Sequence, residues 1–193
     1  MTITAENDMF CFGGEPLKVY KLSNAAIYAK NDRPNLKFVE DSRQKRSYYS
    51  LAKVMDDKKK VLIWLTGGHV DNVNSASVSL FREAGVKDAR FTEEKSMNVA
   101  RSWHASCILE AKLYVFGGWG VENKLLNSIE FLDTSAEKED HAWTETTCQF
   151  FTPRMSSAVI PIGANKIAIF GGSCNKEVII YDPDSDNNSE VAA

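Results

Sequence analysis

The chain has 193 residues, 44% of them hydrophobic and 25% charged, the balance of an ordinary globular protein of one or two domains. A formal net charge of −3 spreads 23 basic among 26 acidic side chains, so there is no basic stripe to neutralise a nucleic-acid backbone. No apolar run reaches bilayer length, and Met1 to Asp8 has neither the basic start nor the apolar stretch of a secretion signal. A cytoplasmic setting, with a nuclear one as the alternative, is expected, without membrane or nucleic-acid partners.

The first element is Met9-Phe10-Cys11-Phe12-Gly13-Gly14, an apolar run entering a glycine pair. The same phrase returns as Val61 to Gly68, Lys112 to Gly118 and Lys166 to Gly172, with first glycines Gly13, Gly67, Gly117 and Gly171 spaced by 54, 50 and 54 residues. A short Val-, Ile- and aromatic-rich run bounded by glycine reads as a strand covered on both faces. The glycines then admit a left-handed backbone or the close approach of a neighbouring strand. Four occurrences in phase signal a repeat.

Between the phrases, strand-sized segments follow in order. The first unit has an alternating Leu17 to Leu22, a turn at Asn31 to Asn35 and a short strand at Leu36 to Val39, with no strand before its glycine phrase. The second opens at Arg46 to Val54, turns through Asp56 to Lys60, and continues with Ala76 to Phe81, a turn at Gly85, and Ala89 to Thr92. The third is the fullest, with Arg101 to Leu109, the glycine strand, Ser128 to Asp133 and Trp143 to Thr146. The fourth has Pro153 to Ile160, the glycine strand and Val178 to Pro183, and then a polar stretch. Units at about 1–43, 44–96, 97–150 and 151–183, with 184–193 as a polar C-terminal tail, give about 14 strands in antiparallel meanders.

These residues resemble the kelch-repeat family. The resemblance spans about residues 9 to 183 and rests on Arg101 with His104, Gly117 with Gly118, Phe131 to Asp133 and Trp143, and on Arg154, Gly171, Gly172, Tyr181 and Asp182 in the last unit. It departs where Tyr48 or Tyr49 replaces the histidine, and where Phe38 and Phe91 stand in for tryptophan. It implies an all-β, open kelch-type β-propeller of four-stranded blades, about three to four in number. Gly13, Gly14, Gly67, Gly68, Gly117, Gly118, Gly171, Gly172, His104, Trp143 and Tyr181 are then its structural positions. An open arc of this kind is either part of a longer propeller or one completed by another chain or another copy.

Chemistry-bearing patterns are sparse. His69, His104 and His141 show no metal-ligand spacing, and Asp182 to Asp186 begins like a calcium loop but lacks its glycine and its closing glutamate. Cys11, Cys107, Cys148 and Cys174 form no C-x-x-C pair and read as reduced, small apolar residues. No nucleophile elbow or phosphate loop occurs. No metal, cofactor or catalytic residue is therefore expected, and the chain reads as a non-enzymatic scaffold binding a protein partner through rim loops. The alternative is a fragment of a propeller enzyme or sugar-active protein whose catalytic groups lie in absent blades. Partner-facing candidates are Arg46, Arg101 and Arg154, whose forks can grip acidic side chains or instead pair with an acid of the next blade, together with Trp119 and His69 in loops after glycine pairs.

Overall fold

The computed structural model describes residues 2–3, 9–13, 17–22, 37–41, 45–56, 60–82, 90–150, 152–173 and 176–191. Gly14, Cys174 and the turns at 31–35 and Gly85 lie outside them. The described residues are all-β, with two short 3-10 turns and no α-helix.

The first sheet is β1 (Thr2–Ile3), β2 (Met9–Gly13), β3 (Lys18–Leu22) and β4 (Lys37–Asp41), in sequence order and antiparallel. The second is built from β5 (Ser50–Met55) and β6 (Val61–Thr66). After a hairpin of β7 (His69–Val70) and β8 (Val73–Asn74), it continues with β9 (Val78–Arg82) and β10 (Arg90–Glu94). The third is β11 (Ala105–Leu109), β12 (Lys112–Phe116), β13 (Ser128–Asp133) and β14 (Trp143–Gln149). The fourth is β15 (Ala158–Ile162), β16 (Lys166–Phe170), β17 (Val178–Asp182) and β18 (Asn187–Val191). Each is an open four-stranded antiparallel meander.

Two expectations need correction. The first unit does have an opening strand, because Thr2 and Ile3 pair with Phe10 and Met9. The polar C-terminal stretch is not a loose tail over its described residues, because β18 pairs with β17 from Asp182↔Asn187 to Val178↔Val191. Asp186 clamps that turn to the third sheet by accepting hydrogen bonds from Thr147 N–H at 2.7 Å and Cys148 N–H at 3.1 Å, and also accepts from the Tyr181 hydroxyl of its own sheet at 2.9 Å.

Strand alternation explains how the sheets stack. In β12, Leu113 and Val115 point to the second sheet and join Trp64, Val78 and Leu80, whereas Tyr114 and Phe116 point to the fourth and join Ile167, Ile169 and Tyr181. All four β12 side chains are at most 3% exposed, so each contributes roughly 2 kcal/mol of burial. Phe10 and Val19 meet Ile63 and Phe81 at the seam between the first two sheets in the same way. Each sheet therefore has a rear face toward its predecessor and a forward face toward its successor. The first strands β5, β11 and β15 run side by side along one edge, where the Ser106 hydroxyl donates to Ser50 Oγ at 2.7 Å.

The glycine doublets connect the sheets. Gly117 and Gly118 have φ of 55° and 102°, a conformation open to glycine and strained for other residues. Gly117 N–H returns to Ser128 O in its own sheet, and Gly118 N–H crosses to Arg154 O at the entrance of the fourth sheet, 2.8 Å away. Gly68 N–H makes the equivalent 2.8 Å crossing to Arg101 O. Gly13 departs from the pattern, because it lies inside β2 and a Cβ there would meet nothing within 4 Å. At Gly118 a Cβ would stand 2.6 Å from Ser102 O. Gly118→Ala is therefore expected to cost about 2 kcal/mol or more of unfolding free energy in urea titrations, against a near-zero effect for Gly13→Ala.

Candidate functional site

The arginines expected at a partner-facing rim are buried: Arg46 is 3% exposed, Arg101 is fully buried and Arg154 is 1% exposed. Arg101 Nη1 donates to Gly117 O at 2.7 Å, and its Nη2 donates to Ser128 Oγ at 3.2 Å and Glu130 Oε1 at 2.8 Å. Arg154 Nη1 donates to Gly171 O at 3.2 Å, and Arg46 Nη2 donates to Ser77 Oγ at 2.5 Å. The partner-binding assignment of Arg46, Arg101 and Arg154 is thus corrected. The pairing is also local: Glu130 belongs to the same sheet as Arg101, so the fork organises its own glycine turn and does not reach into a neighbouring sheet. Glu130 is itself fully buried, with Oε2 accepting Asn98 N–H at 2.9 Å.

His104, Trp143 and Tyr181 are buried. His104 Nε2 is hydrogen-bonded to Thr66 Oγ1 of the second sheet at 2.8 Å. Trp143 Nε1 donates to Lys95 O at 2.8 Å, and Tyr181 is 1% exposed. The equivalent of His104 in the second unit is Tyr49, three residues after Arg46, as the matching approaches of Gly68 to Tyr49 and of Gly118 to His104 show.

What the rim presents follows from the backbone after each arginine. Arg101 O is held by Gly68, and Ser102 then pairs in both directions with Trp119, at 2.9 and 2.7 Å. The chain must turn sharply at the next residue. Tyr48, Trp103 and Ser156, each two residues after an arginine, accordingly have φ of 56°, 55° and 57°. They are linked in series, Trp103 N–H to Tyr48 O at 3.0 Å and Ser156 N–H to Trp103 O at 2.7 Å. For bulky residues this backbone region is an uncommon outlier, which directs attention to what the side chains do.

The side chains of Tyr48 and Trp103 stack on each other with ring centroids 4.0 Å apart and an interplanar angle of 19°, and remain 47% and 40% exposed. His69 stands edge-on to Tyr48 at 5.1 Å, with Nε2 hydrogen-bonded to Ser102 Oγ at 3.1 Å. His69 and Trp119 occupy one equivalent position directly after their glycine pairs, and both are half-buried. The neighbouring loops are tied together by Asn74 Nδ2 donating to Gly120 O at 2.6 Å, and they raise Val73 and Val121 to 66% and 59% exposure. In the fourth unit serines, Ser156 and Ser173, replace the aromatics.

The result is a solvent-facing aromatic platform over the second and third sheets, with Tyr48 and Trp103 at its centre and His69 beside Tyr48. Sequence reasoning proposed His69 and Trp119 for this rim but missed Tyr48 and Trp103. The signal was present as Arg46-Ser47-Tyr48 and Arg101-Ser102-Trp103, one tripeptide pattern in phase. Elsewhere, a groove of about 280 Å3 between the third and fourth sheets is lined by Tyr114, Phe131, Thr147 and Tyr181, with Asp186 already engaged in the clamp described above. Among the described residues no group of three or more His, Cys, Asp or Glu could hold a metal ion, and no helix is long and apolar enough to cross a membrane.

Two predictions follow from the buried polar groups. Arg101→Met strands Glu130 in the interior and is expected to cost about 3–5 kcal/mol in urea unfolding. The double change with Glu130→Met should recover a large part of that loss. For His104, burial first and the neighbouring Arg101 second push its pKa down to about 3, with the Thr66 bond opposing. Its folded pKa lies below the unfolded value, so the unfolded chain binds the extra proton as pH falls below about 6.5. Stability should therefore decline toward pH 3 by about 1.4 kcal/mol per pH unit from this group. That component of the slope should vanish in His104→Gln, measured by denaturation at a series of pH values.

No protein-family model matches the chain. Part of it is similar to three curated plant proteins: Adagio-like protein 1 of Oryza sativa subsp. japonica, 37% identical over 76 residues; Adagio protein 3 of Arabidopsis thaliana, 36% over 77 residues; and Adagio-like protein 3 of Oryza sativa subsp. japonica, 38% over 74 residues. Each match takes in 37–39% of this chain and 11–12% of the relative, so the similarity spans about one eighth of those proteins.

Proposed function

We propose that the four sheets are consecutive blades of an open kelch-type β-propeller, and that the chain is a non-enzymatic interaction module holding a protein partner on its aromatic rim. Support for the propeller reading comes from the in-phase glycine doublets, the side-by-side first strands β5, β11 and β15, and the rear-to-forward stacking of successive sheets. The partner-binding reading rests on one observation, the stacked and solvent-facing Tyr48–Trp103 pair held on left-handed backbone. Rigid aromatics of this kind give large contact area at small entropic cost, and exposed Trp and Tyr are the side chains that dominate binding energies. A cytoplasmic or nuclear location accords with unpaired Cys11, Cys107 and Cys148.

The test is affinity capture from lysate by the intact chain, with the recovered protein then titrated directly against wild type and variants. Trp103→Ala and Tyr48→Ala are each expected to weaken binding about 30-fold, the loss of a hot spot. Trp119→Ala should have a smaller effect. Unchanged affinity in the Tyr48→Ala, Trp103→Ala double variant, with an unchanged circular dichroism spectrum, overturns this reading.

A further inference from the structure

The rim residues form a series in which one member lacks a ring. Tyr48, Trp103 and Ser156 share one backbone conformation, with φ of 56°, 55° and 57°. Trp103 N–H is bonded to Tyr48 O at 3.0 Å, and Ser156 N–H to Trp103 O at 2.7 Å. The step from Tyr48 to Trp103 is therefore repeated from Trp103 to Ser156. In the first step two rings stack, with centroids 4.0 Å apart. In the second the outer member is an exposed serine, and among the described residues no ring other than Tyr48 lies against Trp103.

Exposure points the same way. Tyr48 covers one face of the Trp103 indole, yet 40% of the residue remains in solvent. A flat side chain covered on one face has little left to expose except the other. A ring in the place of the Ser156 side chain would meet that face as Trp103 meets Tyr48. The serine thus leaves a slot one ring thick, walled by the indole and floored by Ser156.

Resting on the partner-binding reading of the rim proposed above, we infer that this slot takes an aromatic side chain of the protein partner, completing the stack that Tyr48 and Trp103 begin. Stacked rings gain attraction beyond the area they bury, and a ring with two torsions loses little freedom on docking. Other flat groups are served less well, because a guanidinium carries a charge and a nucleotide base brings its phosphate. The loops flanking the slot offer no excess of either sign. In the third unit that loop carries exposed Glu122 and Lys124. In the fourth it is held to Met155 O by Ser173 N–H at 2.9 Å and carries exposed Lys176 beside exposed Glu177. An uncharged ring is the group that both the geometry and the charge balance accommodate.

Fluorine NMR of the intact chain labelled with fluorotryptophan tests this, with the Trp103 signal identified by its loss in Trp103→Phe. N-acetyltryptophanamide, used as the probe, is expected to move that signal saturably, with half-saturation in the millimolar range. N-acetylleucinamide and N-acetylargininamide at the same concentrations should leave it in place. Ser156→Tyr fills the slot with the chain's own ring, on a backbone conformation that Tyr48 already adopts. That variant should shift the Trp103 signal with no probe present, keep the circular dichroism spectrum and abolish the response to N-acetyltryptophanamide. A wild-type signal that does not respond to the tryptophan probe overturns the inference, and this measurement needs no variant of the slot. An equal response to the leucine or arginine probe overturns it too, as does a response that survives in Ser156→Tyr. Whether the rim holds a protein at all is decided separately, by the partner titrations with Tyr48→Ala and Trp103→Ala, so the slot and the rim can each fail alone.

Discussion

The structure depends on one backbone hydrogen bond made at successive seams, from the second glycine of a doublet to the carbonyl of the arginine that begins the next sheet. The bond is short because neither glycine has a Cβ to hold the strands apart. It is durable because the same arginine reaches back with its fork to the first glycine of its own doublet, as Arg101 does to Gly117 and Arg154 to Gly171. Each arginine therefore fixes one turn with its side chain and one seam with its backbone. A lysine could carry the charge but lacks the planar fork that bonds Gly117 O, Ser128 and Glu130 together.

The rim follows from this fastening. With the arginine carbonyl anchored and the next residue paired to the loop after the doublet, the third residue has little choice of direction. It leaves the sheet toward solvent, and its neighbours in adjacent units do the same. In the second and third units those positions hold Tyr48 and Trp103, close enough to stack. Packing geometry thus sets the spacing of the platform, and side-chain choice at a few register positions sets what it presents to solvent.

Much of this was legible from the chain. The glycine phrases fixed the repeat, its phase and the burial of β12 on both sides, because alternation and glycine chemistry are local properties. Of the strands that escaped notice, two did so for opposite reasons. Thr2–Ile3 is too short to show a period, and Asn187–Val191 is polar and exposed because it lies at a sheet edge, so only its pairing with β17 reveals it. The arginines were located correctly and aimed wrongly. Their direction depends on a glutamate 29 positions away in Arg101's case, and such a distant partner leaves no mark on neighbouring residues. The substitute for a histidine was read as Tyr48 or Tyr49; it is Tyr49, and that single step of register separates a half-buried side chain from an exposed one.

The left-handed backbone at Tyr48 and Trp103 carries an evolutionary implication. Glycine would sit there with less strain, so drift under selection for thermal robustness alone would erode both aromatics. Lineages that retain a large ring at either site reveal a demand other than endurance, whereas those with glycine or serine have relaxed it. Comparing that one column among relatives would separate copies kept for recognition from copies kept merely as masonry.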